Sequence, residues 1–372
     1  MGVQGAKRVV PKARSRARPK ARSACGGARG GAPTCFDMEL IEPLGWLHGA
    51  AARDALAAGL ACPLAGGPAA FSLARLLPGG AVVPVAAVPP RWRFVLDRIA
   101  APRPWADLTA RPAIMAVLNV TADSFSDGGR HADPARAVEA GLAMAAAGAD
   151  VVDVGGESTR PGAQAILPAE ECGRVVPVVR ALAAQGVAVS VDTRNAATMA
   201  AALDAGARIV NDVSALAYDQ AAAALVAARG CPVVLMHMRG RPDTMARLAQ
   251  YGDVAAEVAA ELAARVAAAE AAGVARAAIA LDPGIGFAKG QDASLEMLAR
   301  LGVLLGLGFP LVVGVSRKSF IGRAGLEPEP RQRLPGSLAA GLAASLGGAA
   351  VLRVHDVADT LQALRVWRAI LG

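Results

Sequence analysis

Three polar residues that close otherwise apolar runs set the chemistry this chain can do. Asp192 ends AVSVDT, Asn211 lies in IVNDV and Asp282 sits in AIALDP. If these runs are buried strands, an unpaired carboxylate at the end of one carries a large desolvation cost. Two carboxylates and one amide around a common mouth both accept and donate hydrogen bonds, which suits a flat, nitrogen-rich heterocycle. An aminopyrimidinone edge, with adjacent N–H donors, suits a carboxylate best. Taken singly, each residue is also an ordinary turn former, and Asp192-Thr193 and Asp282-Pro283 both start turns well.

A second group is cationic. Lys318 stands in GVSRKS at the start of a helical stretch, where backbone N–H groups favour an anion. Arg353 and His355, in RVHD, fall on one side of their strand by alternation. Two loops complete the inventory. One runs from Asn119 through Thr121, Asp123, Ser124, Ser126 and Asp127 to Gly128-Gly129, ahead of an Asp133-Pro134 helix start. The other is Gly155-Gly156-Glu157-Ser158-Thr159-Arg160-Pro161-Gly162, whose glycines permit close backbone approach and whose Thr159 and Arg160 offer donors to an anion.

The elements that must hold these residues recur in a fixed order. Apolar runs begin near 114, 151, 188, 209, 232, 278, 310 and 349, separated by Ala-rich stretches of helical length. Continuous β-branched runs alternating with helices predict buried parallel strands, and this number of them predicts a (β/α)₈ TIM barrel. In that fold the chemistry sits at the C-terminal strand ends, where every residue named above falls. The seventh and eighth strands are its recurrent phosphate position, and here they carry Lys318, Arg353 and His355.

Composition bounds the rest. An apolar content of 54% excludes global disorder. No apolar run approaches the ~20 uninterrupted residues that cross a bilayer, so a membrane role is not expected. The five cysteines (Cys25, Cys35, Cys62, Cys172 and Cys231) have no metal-like spacing and read as free thiols in a reducing cytoplasm. The net charge of +8 is local, because nine Lys and Arg between Lys7 and Arg29 meet no acid before Asp37. Residues 1–37 read as a basic, disordered arm, with Met38 as an alternative start. Residues 1–35, which carry the arm's positive charge, lack the aromatics that stack bases, so nucleic acid is not an expected partner. Residues 38–108 read as a small folded extension, with short strands near 71–77 and 81–88 and an amphipathic stretch near 92–99. Residues 109–372 read as the barrel.

The motifs NVTADSFSDGG, DVGGESTRPGA, VDT, NDV, MHMRGRP, LDPGIGF, GVSRKSFIG and RVHDV together resemble dihydropteroate synthase, in family order from about Pro112 to Leu371. The resemblance implies a transferase of folate biosynthesis. Its reaction condenses 6-hydroxymethyl-7,8-dihydropterin diphosphate with p-aminobenzoate, giving 7,8-dihydropteroate and pyrophosphate. Carried over by position, Asp192, Asn211 and Asp282 hold the pterin edge, Lys318 bonds the ring, and Met236, Phe287 and Gly314 line the slot. Asn119 contacts Mg²⁺ and the diphosphate, which Arg353, His355 and Arg160 also grip. Thr159, Pro161, Phe287 and Ser319 form the p-aminobenzoate site, the target of sulfonamides. Lys318, Arg353 and Asp192 are the candidate catalytic groups.

A pterin-dependent methyltransferase on the same barrel would share the pterin-edge residues but need no diphosphate grip, which Arg353, His355 and the STRPG segment supply. A non-catalytic pterin-binding paralogue should have lost Asn119, Lys318 or Arg353, and all three are present. The chain departs from the common pattern at Pro335, where a local turn change is expected, and at Ala122. Small-residue stretches such as SLAAGLAASLGG at 337–348 could pack against a second copy as a homodimer.

Overall fold

The computed structural model of the chain describes residues 38–108, 112–121, 133–158, 166–241 and 244–371. The extension is built on an antiparallel sheet whose middle strand is β3 (Ala70–Leu77). It pairs with β1 (Leu40–Leu47) along one edge, and with β2 (Cys62–Pro63) and β4 (Val82–Pro84) along the other. Helices α1 (Gly49–Ala57) and α2 (Arg93–Ala100) flank it. The strand expected over 81–88 is cut to three residues, because the chain turns into a 3₁₀ segment at Val85–Ala87 after Pro84. Pro84 cannot donate to a ladder, which favours a strand end there.

This sheet does not stand apart from the barrel. Leu40, Ile41, Phe71, Val95 and Ile99 join one buried cluster with Leu301, Leu304 and Leu305, which lie on a fully buried 3₁₀ stretch, Leu301–Leu307. Arg300 ties the layers together, donating to Glu42 at 3.1 Å and to Asp253 at 2.9 and 3.1 Å.

The eight apolar runs form eight parallel strands. They are β5 (Ala113–Asn119), β6 (Val151–Gly155), β7 (Val189–Asp192), β8 (Ile209–Asp212), β9 (Val233–Met236), β10 (Ile279–Asp282), β11 (Val312–Gly314) and β12 (Val351–Val354). Neighbours pair in the order β10-β9-β8-β7-β6-β5-β12-β11. A parallel bridge between Leu281 and Leu311 closes the ring. Each strand is followed by helix, in order α3 (Pro134–Ala146), α4 (Pro168–Ala184), α5 (Ala196–Asp204), α6 (Ala222–Arg229), α7 (Val254–Ala271), α8 (Gln291–Ala299), α9 (Ser319–Ala324) with α10 (Leu334–Leu346), and α11 (Val357–Leu371). The Asp133 carboxylate caps α3 by accepting from the Ala135 amide at 2.9 Å, with Pro134 at the first helical position. Pro335 likewise falls in the first turn of α10, where its missing N–H costs nothing. Part of the small-residue face of α10 is used within the chain, since Ala340, Gly341 and Ala344 are buried.

The inside of the ring is layered. Its lower layer is apolar and holds Ala113, Met115, Val151, Ile209, Val234, Ala280, Val312 and Val351. Trp105, from the linker after α2, packs against the same layer and donates its indole N–H to the Ala278 carbonyl at 2.7 Å. Among the described residues it therefore closes the N-terminal end of the ring, opposite the strand ends that carry the polar groups. Trp105→Ala should lower unfolding stability by about 3–5 kcal/mol, the usual scale for emptying a buried aromatic site. Denaturant titration checks this, and a loss below about 1 kcal/mol would show that the plug is dispensable.

Candidate active site

Strand register decides which side chains share the upper layer. In parallel pairs, partnered residues point to the same face. Gly155 pairs with Asp192, and Asp192 with Asn211. Asp282 pairs with Met236, and Gly314 with Arg353. Two residues lower on β6, Asp153 pairs with Ser190 and is fully buried. The upper layer is thus charged, directly above an apolar floor.

Arg353 joins these groups. Its Nε donates to Asp153 Oδ2 at 2.7 Å and its Nη2 to Asp192 Oδ2 at 2.7 Å. Asn211 Nδ2 donates to the same Asp153 oxygen at 2.9 Å. Burial pushes the Asp192 carboxyl up to about 7, against the pull of Arg353 and with the neighbouring Asp153 charge adding to it. For Arg353, burial favours loss of charge, but Asp153 and Asp192 outweigh it and hold the guanidinium protonated.

On the opposite rim, Lys318 is the residue before α9 and turns its ammonium across the mouth to the Ile285 carbonyl, 5.0 Å from the centre of the Phe287 ring. Burial lowers this amine to about 8, although Asp282 favours its charged form. Burial also raises Asp282, which Lys318 opposes, and Asp282 Oδ1 accepts from the Gly284 amide at 2.6 Å. From its place at the start of α9, the Lys318 side chain therefore reaches across the mouth beside Asp282. Gly314 faces the same mouth; a Cβ there would sit 3.7 Å from Lys318 Nζ and from Arg353 Cβ. Any larger side chain would fill the space between the two cations.

The remaining sequence-predicted residues divide clearly. Asn119 ends β5 in register with Gly155, at the rim of the same mouth. Met236 is buried at the end of β9, and Phe287 is half-buried on the loop after β10. The Nδ1 atom of His355 lies 3.1 Å from the Ser316 hydroxyl, beyond the end of β12. Ser319, the first residue of α9, is exposed and borders a cavity of about 530 Å³ with Gly322, Arg323, Leu326, Pro328 and Arg333. Thr159, Arg160 and Pro161 lie outside the described residues, as does the first loop from 122 to 132.

Several supporting residues escaped sequence reasoning. Asp153 is the plainest, a carboxylate in the middle of a buried strand. Glu171 on α4 is fully buried and accepts from Thr193, Asn195 and Thr198 at 2.8, 2.9 and 2.6 Å, which fixes the turn that presents Asp192. Glu157 and Arg194 form a buried bidentate pair at 2.8 and 2.9 Å beside it. The available signal for Asp153 was its even spacing from Val151 and Gly155, which puts it on the inner face.

Comparison with known proteins agrees with this geometry. Residues 115–355 match the family described as pterin binding enzyme. The dihydropteroate synthase of Escherichia coli (strain K12) is 45% identical over 264 residues, covering 71% of this chain and 93% of its own length. The chain belongs to the dihydropteroate synthases, within the pterin-binding family. The Xanthomonas albilineans dihydropteroate synthase with 4-aminobenzoic acid superposes with a TM-score of 0.66 at 48% identity, over 70% of this chain and 93% of its own. The same organism's enzyme in complex with 7,8-dihydropteroate gives 0.64 at 44% identity, over 71% and 95%. The chain is accordingly a transferase on a TIM barrel. None of its described helices is long and apolar enough to cross a membrane.

The shifts of Asp192 and Lys318 give the pH dependence that pterin binding should show if these two groups take the ring. If Asp192 accepts from the pterin ring, as the family resemblance implies, it does so best as a carboxylate, and it loses that charge as pH falls below about 7. If Lys318 bonds the ring, it donates most strongly as an ammonium, and it loses that charge as pH rises above about 8. Calorimetric titration of the dihydropterin alcohol, from about pH 5.5 to about 9.5, should show weaker binding on both sides of that window. A dissociation constant flat across the range contradicts the two assignments.

Proposed function

We propose that the upper layer divides the synthase reaction between a ring-reading half and an anion-releasing half. Asp192, Asn211 and Asp282 take the pterin edge, Lys318 bonds the ring, and Met236, Phe287 and Gly314 line the slot. Arg353, His355 and Arg160 grip the diphosphate with Asn119. Thr159, Pro161, Phe287 and Ser319 receive p-aminobenzoate, its carboxylate meeting Ser319 at the start of α9. The observation that carries this reading is the convergence of two carboxylates, an amide, an ammonium and a guanidinium on the C-terminal mouth of the barrel.

The chemistry asks for no protein nucleophile. The bond between the pterin methylene carbon and the diphosphate oxygen breaks first, and the electron pair leaves with pyrophosphate. The electron-rich dihydropterin delocalises the resulting cation, which the ionised Asp192 helps to offset. The aniline nitrogen of p-aminobenzoate then bonds to the methylene carbon and gives up a proton to solvent. Catalysis is positioning and electrostatics. Arg353 faces two tasks here, because the Asp192 oxygen it occupies is also a ligand for the ring. Pterin binding at Asp192 therefore frees Nη2 towards the diphosphate, while Asp153 keeps hold of Nε.

The donor set fits Mg²⁺ that arrives with the substrate. Among the described residues no group of three or more His, Cys, Asp or Glu could hold a metal ion. Asn119 offers one neutral oxygen, and Mg²⁺ commonly takes its other ligands from substrate phosphates and water. When bound, the ion would neutralise charge on the departing pyrophosphate. The free-thiol cysteines and the substrates point to a cytoplasmic enzyme. The exposed Val366 and Ile370 on α11, beside α10, support a homodimer through that face.

Pyrophosphate release tests the assignment. The purified chain should release it only with both organic substrates present, and a sulfonamide should reduce it. Lys318→Ala and Arg353→Ala should each lower turnover by ~10²-fold, on the scale of a lost oxyanion donor. Near-normal turnover in either variant removes that residue from the chemistry.

A further inference from the structure

The loop after β10 contains a lysine that none of the roles above uses. Lys289 is buried, and its ammonium meets His237 Nδ1 at 2.7 Å, the Gly284 carbonyl at 3.1 Å and the Phe287 carbonyl at 3.2 Å. No carboxylate among the described residues forms a salt bridge with it. An ammonium has three N–H donors and no acceptor, so three acceptors satisfy it fully. This fixes the tautomer of His237: Nδ1 accepts from the lysine, and Nε2 carries the proton that bonds Glu261 at 3.0 Å. Glu261, on α7, is anchored in turn by Arg239 at 2.9 Å, and Arg239 also donates to Glu257 at 2.7 Å.

The loop so held is tightly specified. Gly284 has φ +63, and a Cβ there would lie 1.9 Å from the His237 carbonyl oxygen, so only glycine fits. Ala288 has φ +47, and its carbonyl accepts from the Tyr251 hydroxyl at 3.0 Å. The front of the same loop carries the Ile285 carbonyl that takes Lys318, and the Phe287 ring. Two lysines thus fix one loop, Lys318 from the start of α9 and Lys289 from within the loop itself, folded back onto its own carbonyls and His237.

We propose that Lys289 is a positioning residue that sets the affinity for the aromatic amine substrate, by anchoring the Gly284 and Phe287 carbonyls and so holding the Phe287 ring in the site. This rests on the placement of p-aminobenzoate against Phe287. Phe287 also lines the pterin slot, but the pterin is held chiefly at its edge, by Asp192, Asn211 and Asp282, which stand on strands fixed by their own ladders. Loss of the anchor should therefore separate the two substrates. The burial that makes Lys289 a dry, three-bonded anchor also lowers its amine to about 7 and His237 to about 4, through burial in both cases.

Steady-state kinetics of Lys289→Met and Lys289→Gln, with both substrates varied, test this. Methionine keeps the length of the side chain but donates nothing; glutamine keeps a donor for the carbonyls. In Lys289→Met the KM for p-aminobenzoate should rise by about tenfold, the scale of a lost charge-assisted hydrogen bond. Its KM for the pterin diphosphate should stay within about twofold of wild type, a change too small to count as a lost hydrogen bond. Lys289→Gln should recover part of the p-aminobenzoate affinity, and it carries the test alone if Lys289→Met does not fold. Unchanged KM for p-aminobenzoate, or an equal rise for both substrates, overturns the proposal. An inactive wild-type chain would instead count against the synthase assignment itself.

Discussion

A guanidinium held at the mouth of a barrel must have its counter-charge built in, and the sharing of Arg353 between Asp153 and Asp192 is the constraint around which this site is arranged. Removing ions from water costs several kcal/mol each unless geometry and extra hydrogen bonds offset it. Here both acids meet the arginine at 2.7 Å, and Asn211 adds a third bond on Asp153. The contacts link β12 to β6, β7 and β8 across the inside of the ring, so the strands' relative heights and the site's charge pattern are one problem. A shift of any of these strands by one residue would turn its charged side chain outward among the packed helices.

The layer beneath makes this arrangement possible, because it is dry and closed. Trp105 and the small apolar side chains of the floor exclude water from below, which strengthens every charge interaction above. The extension contributes that plug from its linker. Its sheet then packs on the buried stretch after α8, so it is continuous with the barrel's core and not an appended module. Its position on the far side from Asn119, Asp282 and Lys318 fits a stabilising role.

Much of this was legible in the sequence, for a clear reason. Strands buried on both faces must be apolar until they reach the mouth, so the first polar residue of each run marks the strand's end and a site residue together. That logic locates Asn119, Asp192, Asp282 and Arg353 within a residue of their observed strand ends. It fails for Asp153, which breaks the rule by sitting charged inside a run, tolerable only because Arg353 and Asn211 reach down to it. It also fails for Lys289, whose partners are two backbone carbonyls and a histidine 52 positions away. Backbone acceptors leave no pattern in side-chain types. In the extension, LIEPLGWL reads poorly as a strand because of Glu42 and Pro43, yet β1 forms since Arg75 and Arg300 both pair with Glu42. Tertiary contacts there override local preference.

A double-mutant cycle on Asp153 and Arg353 tests the central claim most directly. Turnover of the pterin diphosphate would be measured for Asp153→Asn, Arg353→Ala and the pair. If the two side chains work as one unit, the double variant should be little worse than Arg353→Ala alone, with a coupling of about 1–3 kcal/mol. Additive losses, with the double variant slower by the product of the two single effects, would mean that Asp153 acts independently of Arg353 and would contradict the account.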